Sequence, residues 1–316
     1  MATKSRNQSK SSKTKRRIST FFMFASPWLA GLILLGIIPL LFGIVISLTN
    51  YDGTNMESLK LAGGNGLGNY VRVFQDPGAS TSFKQTMLWG SLNLPIWMGV
   101  SFILALILNQ DVKGKGFFRT LYYIPSVIPA VGAVSAWKIL LGQNNGLFNE
   151  IISIFQPGTA IGWLTTYSLQ SLTMVAVWSG VGSAMIIFLA GLQNIPDELV
   201  DAAKIDGANN WQVVHHITLP LMTPVIFFVL IQGLIGAFQQ LVFPLILARE
   251  NQLAPPKGIF LYMIYVYQQI FQAQRFGYGT ALLWAITIAA AAIILFVFWS
   301  QKFWVYQGDT TPTGEE

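Results

Sequence analysis

The chain has 316 residues, no cysteine and a formal net charge of +6; 53% of its residues are hydrophobic and only 10% are charged. This composition is too apolar for a soluble domain and is typical of a polytopic membrane protein. The missing cysteines exclude a disulfide framework, thiolate metal sites and a cysteine nucleophile. We interpret the positive charge as a topology signal and expect no nucleic-acid partner, because no nucleic-acid-binding motif accompanies it.

The first 20 residues are basic and polar, which predicts a disordered tail. The apolar run from Phe21 to Leu48 is too long for the core of a signal peptide and predicts a first membrane helix. Five further apolar segments have the length that crosses a hydrocarbon core about 30 Å thick. The predicted fold is therefore an all-α polytopic membrane protein with six transmembrane helices in residues 21–305 and a short tail at 306–316. The five further spans are expected at 84–108, 121–141, 169–192, 221–247 and 280–304.

The distribution of lysine and arginine predicts the orientation of these spans. With six spans both termini lie on one side, which carries 12 of the 19 basic residues, whereas the opposite side carries 6. Because cytoplasmic segments are enriched in lysine and arginine, we expect both termini in the cytoplasm and the chain in a bacterial-type cell membrane. Pro95, Pro125 and Pro129 lie inside predicted spans and predict kinks, because each proline removes a helical hydrogen bond.

The chemistry that the sequence lacks narrows the function. All 13 acidic residues fall outside the predicted spans, which argues against ion-coupled transport because no carboxylate is available in the membrane. The chain has no G-x4-G-K-[ST] phosphate-binding loop, so energy would have to come from another subunit. His215 and His216 are adjacent and point about 100° apart on a helix, which is poorly suited to a shared metal. We predict no catalytic site, metal site or cofactor in this chain.

A polar segment at 195–220 separates the fourth and fifth predicted spans and falls on the cytoplasmic side. A proline followed by two acidic residues can open a helix there, and Gly207 can end it. Asn209 or Asn210 can cap a second short helix at 211–217 that ends before the next proline. The pattern predicts a helix-turn-helix elbow outside the membrane, although these residues alone fit an ordinary connecting loop equally well.

The same segment carries a recognisable spacing. It contains DAA at 201–203, Gly207 and ITLP at 217–220, separated by three and nine residues. This spacing resembles the EAA motif of ATP-binding-cassette importer permeases, with Asp201 where that family usually has glutamate. Further segments resemble the maltose-type branch of carbohydrate permeases, and together the resemblance covers most of residues 20–305. These further segments are 21–53, 66–77 and 119–149.

The resemblance implies a permease subunit of an ATP-driven sugar importer, in which the elbow is the coupling helix that docks on a cytosolic ATPase. It also implies a second homologous permease, two cytosolic subunits that bind ATP and Mg, an extracytoplasmic solute-binding protein, a sugar substrate and surrounding membrane lipids. The alternative is a membrane scaffold or channel-like protein with another cytosolic partner. The residues expected to couple to the ATPase are Glu198, Asp201, Ala202, Ala203, Asp206, Gly207, Ile217, Leu219 and Pro220.

The fifth predicted span carries glutamines at helical spacing in an otherwise apolar segment. Because amides are costly in lipid, these side chains should face inward, where they can hydrogen-bond sugar hydroxyls or only neighbouring helices. An aromatic ring such as that of Phe238 or Trp178 can stack on the apolar face of a sugar. The family's sugar-contacting positions map near Gly180, Ser183, Phe238 and Gln239. The candidate substrate path comprises Trp178, Gly180, Ser183, Gln232, Phe238, Gln239 and Gln240.

Overall fold

The structure is a computed structural model that describes residues 20–110, 113–248 and 255–306. These residues are mostly helical, and their only β-type pairing is one isolated bridge between Thr49 and Leu61. The predicted tails lie outside the described residues except for one residue of each. The helices are α1 (Thr20–Ser47), α2 (Gly68–Gln75), α3 (Pro77–Asn109), α4 (Lys115–Val127), α5 (Ala130–Leu140), α6 (Leu147–Phe155), α7 (Ser168–Leu192), α8 (Asp197–Ile205), α9 (Asn210–Val213), α10 (Leu219–Phe238), α11 (Val242–Leu247), α12 (Tyr262–Tyr267) and α13 (Phe276–Trp304).

Five helical segments of the described chain are long and apolar enough to cross a membrane, and there are six if the bent pair α4 and α5 forms one span. The predicted all-α membrane fold is confirmed. The expected third span is nevertheless not a straight helix, because α4 and α5 meet at 96°. Pro129 explains the bend, since a proline disfavours the helical conformation of the residue before it and Ile128 accordingly has ψ 131°.

The expected fifth span is interrupted near its end. The helix α10 ends at Phe238, and α11 begins only at Val242. A continuous helix would require Pro244 to donate an N–H to the carbonyl of Gln240, and proline has no such donor. The glutamines at 239 and 240 therefore leave the helical register that the sequence pattern predicts.

Within the described ranges, three buried apolar clusters hold the bundle together. One joins α3, α7 and α10 around Phe188, a middle cluster surrounds Trp89 and Leu172, and a third joins α3, α12 and α13 around Tyr278. The most extensive helix contact is between α3 and α7, whereas α1 packs mainly against α13. Large apolar side chains on α1 remain exposed, as expected for a helix that faces lipid.

Successive spans run in opposite directions, so the bundle has two ends. The elbow (residues 195–220) and the C-terminal end of α13 share one end, where the Tyr306 N–H donates to Thr223 Oγ1 over 2.8 Å. We name this end the elbow face. The N-terminal ends of α3 and α13 lie at the opposite end, which we name the far face.

Candidate functional site

The first helix of the elbow, α8, contacts mainly the second elbow helix, α9. Asp197 and Glu198 occupy its first turn, where carboxylates interact favourably with the helix dipole. None of its residues is buried. Asp201 lies 3.9 Å from Lys204, and both side chains are exposed. The helix therefore offers most of its surface to a partner, with only Val200 and Ala203 half-buried, while its two ends are joined to α7 and α9.

The end of α8 is a Schellman motif. The Gly207 N–H donates to the Lys204 carbonyl over 3.0 Å, and the Ala208 N–H donates to the Ala203 carbonyl over 2.9 Å. Gly207 has φ +87°, and a Cβ added there would meet no atom within 4 Å. The predicted helix end is confirmed, and backbone conformation rather than crowding within the chain explains the glycine.

The second elbow helix, α9, begins with a capping box. Asn209 Oδ1 accepts from the Gln212 N–H over 2.9 Å, and Gln212 Oε1 accepts from the Asn209 N–H over 2.8 Å. Asn209 is thus one of the two caps that the sequence allows. The expected end of this helix before Leu219 is wrong, because a π-helical turn (Val214–Thr218) continues it into α10. The wider turn accommodates Pro220, which cannot donate a backbone hydrogen bond.

A concavity of about 360 Å³ separates the two elbow helices. Ile205 and Trp211 are 86% and 75% exposed beside it, which leaves apolar surface on the elbow without a partner. His215 stacks on Trp211 at 6.5 Å, and the described residues contain no group of side chains suited to a metal. The concavity is lined by Ala203, Asp206, Gly207, Ala208, Gln212, Val213, His216 and Ile217.

The structure distributes the expected coupling residues over three places. Four of them line the concavity, namely Ala203, Asp206, Gly207 and Ile217. Three others lie exposed along α8, and the remaining two belong to the beginning of α10. The three are Glu198, Asp201 and Ala202, and the two are Leu219 and Pro220.

A second cavity, of about 270 Å³, lies between α3, α7 and α10. Trp89 Nε1, Asn93 Oδ1 and Ser179 Oγ belong to residues that line it, and these buried atoms have no hydrogen-bond partner in the described part of the chain. Leaving such a group unpaired costs about 1–3 kcal/mol, so these atoms are suited to bind a polar ligand or water. The lining consists of Trp89, Asn93, Leu94, Trp97, Ala176, Ser179, Gly180, Gln232, Gly233, Gly236, Ala237, Gln240 and Phe243.

Three of the seven expected substrate-path residues line this cavity: Gly180, Gln232 and Gln240. The other four lie elsewhere. Trp178 packs edge-on against Trp137 with ring centroids 5.5 Å apart, and Ser183 is exposed and donates to the Gly180 carbonyl. Phe238 is 6% exposed within the third apolar cluster, and Gln239 is exposed at the break after α10.

The contribution of α3 to this cavity was not among the features predicted from the sequence. Trp89, Asn93 and Trp97 are spaced four residues apart, so they share one face of that helix. This spacing, with an asparagine in an apolar span, is the signal that could have identified them. Gly180 permits the approach of α3 to α7, because a Cβ there would lie 2.9 Å from Trp97 Nε1.

The far face carries a polar cluster around Asp76. Asp76 Oδ1 accepts from the Gly78 N–H over 2.8 Å, and Oδ2 accepts from the hydroxyls of Tyr265 and Tyr278, each over 2.5 Å. Burial raises the pKa of the Asp76 carboxyl, but these hydrogen bonds outweigh burial, so its pKa lies below the ordinary value. A negatively charged Asp76 therefore joins the beginning of α3 to α12 and α13.

Comparison with known proteins agrees with this architecture. The family described as binding-protein-dependent transport system inner membrane component matches residues 98–305. The probable ABC transporter permease protein YesP of Bacillus subtilis is 33% identical over 289 residues, covering 90% of this chain and 91% of that protein. The lactose transport system permease protein LacF of Rhizobium radiobacter is 30% identical over 285 residues, covering 89% and 93%.

Solved structures support the same fold. A bacterial alginate ABC transporter, in complex with an alginate pentasaccharide-bound periplasmic protein, contains a chain that superposes with a TM-score of 0.75 at 21% identity. The match covers 92% of this chain and 96% of that chain. With the expected resemblance confirmed, this chain belongs to the inner membrane components of binding-protein-dependent transport systems and is a permease subunit of the sugar-importing ABC type.

Proposed function

We propose that this chain forms, with a second homologous permease, the path for a sugar or oligosaccharide that an extracytoplasmic binding protein delivers. Two cytosolic ATPases, which bind ATP and Mg, supply the energy, and this chain contributes no catalytic site or cofactor of its own. The elbow and both termini face the cytoplasm. Support comes from relatives named for transport of lactose and of starch degradation products, and from the binding protein in the alginate transporter complex.

The observation that carries the proposal is the helix α8, in which no residue is buried and most side chains are exposed. A short helix whose ends are joined to α7 and α9 can transmit the closure of an ATPase as a rigid-body movement of the bundle. Its partner would cover the exposed apolar side chains of Ile205 and Trp211 and enter the concavity beside Gly207. The uninterrupted passage from α9 into α10 would carry that movement to the cavity, because α10 contributes Gln232 to its lining.

The cavity between α3, α7 and α10 is the proposed contribution of this chain to the sugar path. Amide and hydroxyl groups suit sugar hydroxyls because they both donate and accept hydrogen bonds, and an indole ring can stack on the apolar face of a sugar. Asn93, Ser179 and Gln240 would supply the polar contacts, while Trp89 and Trp97 would supply aromatic surface. The partner permease would complete the site.

Reconstitution tests the proposal directly. The four-subunit complex would be placed in proteoliposomes with a candidate solute-binding protein, and glycans would be screened for stimulated ATP hydrolysis and uptake. Stimulation by a neutral or charged glycan supports the proposal, whereas a complex that no glycan-loaded binding protein stimulates contradicts it.

The orientation has its own test, because the chain has no native cysteine. In cells that lack the ATPase subunits, a single cysteine at Asp201 should react with a membrane-impermeant maleimide only after the cytoplasmic side is opened. A cysteine at Gly158, which lies at the far face, should react in intact cells. The reverse pattern would place the elbow outside and would refute the coupling proposal.

A further inference from the structure

A second open concavity, of about 420 Å³, lies on the far face and belongs to neither the elbow nor the cavity between α3, α7 and α10. It is formed where α2 meets α3 and where α13 begins, so it is at the end of the bundle opposite the elbow. Its lining contains two arginines and one carboxylate. The lining residues are Arg72, Gln75, Asp76, Pro77, Tyr265 and Arg275.

Neither arginine has an acidic partner among the described residues. Arg72 lies over the ring of Tyr278, with its Cζ 4.4 Å from the ring centroid, and neither Arg72 nor Arg275 forms an ion pair with a carboxylate of the described residues. Asp76 shares the concavity, but its oxygens already accept hydrogen bonds from two tyrosine hydroxyls and a backbone N–H. Each guanidinium carries five N–H donors, so the concavity offers a carboxylate several unused donors.

The backbone conformation next to Arg275 indicates that the position of this residue is fixed by the fold. Gln274, the residue before it, has φ +51° and is the sole non-glycine with positive φ in the described ranges. Such a conformation costs about 1–3 kcal/mol and persists where the surrounding structure holds it. Here the Arg275 N–H donates to the Gln269 carbonyl over 2.8 Å, which fixes the turn that brings Arg275 to the concavity.

The concavity faces away from lipid. On α2, Phe74 is 87% exposed, which marks the side of that helix that suits the membrane. Arg72 is two residues earlier, so it points about 200° away from Phe74 around the helix axis. Gln75 at the end of α2, Pro77 at the start of α3 and Arg275 just before α13 line the concavity, so it lies mostly at helix ends.

We propose that this concavity receives an acidic side chain of the extracytoplasmic binding protein, which Arg72 and Arg275 bind together; this inference rests on the proposed function. Arginine suits the task because its planar fork binds a carboxylate with two parallel hydrogen bonds. Through Tyr278, Asp76 and the beginning of α3, the docked carboxylate is joined to the helix that carries Trp89 and Asn93 into the cavity. Docking thus acts on the same helix that lines the proposed sugar path.

The test is a titration of the reconstituted complex with its sugar-loaded binding protein, read as stimulated ATP hydrolysis. The double variant Arg72→Gln and Arg275→Gln should raise the half-saturating concentration of binding protein about tenfold while leaving basal hydrolysis unchanged. Lys257→Gln, which removes an exposed far-face charge outside the concavity, should leave the titration unchanged. Thermal unfolding of the purified complexes would confirm that the variants are folded.

Three outcomes would overturn the inference. One is an unchanged titration in the double variant, and another is a defect equal to that of Lys257→Gln. The third is a defect that appears in vesicles containing phosphatidylglycerol but disappears in pure phosphatidylcholine, which would assign the arginines to a lipid headgroup. A wild-type complex that no binding protein stimulates would instead overturn the proposed function, and the docking site with it. Restoration of Arg275→Glu by an acidic-to-arginine change in the binding protein would identify the docked residue.

Discussion

Replacing Gly207 should uncouple the permease from its ATPase without removing it from the membrane. A side chain at φ +87° introduces left-handed strain of about 1–2 kcal/mol for Gly207→Ala, and no steric cost is added because nothing lies within 4 Å. That free energy lowers the population of the formed turn roughly 5–30-fold relative to the unwound turn. Gly207→Asp keeps the strain and adds a charge to the concavity that already contains Asp206.

The assay measures three quantities in cells that express the complete importer: the membrane level of the chain, the amount of ATPase that copurifies with it, and sugar uptake. The membrane level should stay normal, because α8 has no buried residue and its last turn contributes nothing to the core. Copurification and uptake should both fall, and they should fall further for Gly207→Asp than for Gly207→Ala.

Gly158 provides the matched control. Its φ is +85° and a Cβ there would also meet no atom within 4 Å, but it lies in the loop between α6 and α7 at the far face. Gly158→Ala therefore introduces the same local strain without touching the elbow, and uptake should be unaffected. Normal uptake and normal ATPase copurification in both Gly207 variants would refute the coupling role, and equal losses at both positions would attribute the effect to strain alone.

Three further predictions follow from the structure. Ala203→Leu should fill the elbow concavity and reduce ATPase copurification with a normal membrane level, measured by affinity pull-down. Gln240→Ala should lower uptake several-fold whereas the neighbouring Gln239→Ala should change it little, because only Gln240 lines the cavity; equal uptake in both variants would argue that the glutamine only packs. Asp76→Asn should destabilise the purified chain by about 1.5–3 kcal/mol at neutral pH, because hydrogen bonds to a charged group are lost. The pKa of Asp76 is lowered from 3.8 in the folded state, so its contribution to folding stability is complete above that pH and is lost as the pH falls through the lower folded-state pKa. The thermal unfolding temperatures of the wild-type and Asp76→Asn proteins should therefore converge in acid.

The sequence predicts those features that depend on neighbouring residues. The helix end at Gly207 and the cap at Asn209 depend on hydrogen bonds between residues three to five positions apart. Both features can therefore be predicted from the neighbouring residues in the sequence. The apolar spans are similarly local, because about twenty apolar residues suffice to cross the bilayer. The break at Pro129 is also local, but a proline alone does not distinguish a mild kink from the observed bend of 96°.

The cavity could not be predicted in the same way, because its polar groups come from three helices that are distant in sequence. The helical spacing of polar residues along α10 suggests that Gln239 and Gln240 belong to the same polar face. Because Pro244 lacks the N–H donor that a continuous helix needs, α10 ends at Phe238, before these two glutamines. Only the packing of α3 against α7 brings Asn93 and Ser179 to one cavity and leaves Asn93 Oδ1 and Ser179 Oγ without a hydrogen-bond partner among the described residues. A polar residue in a membrane span therefore indicates that a polar site exists, while the break in its helix decides which residue reaches that site.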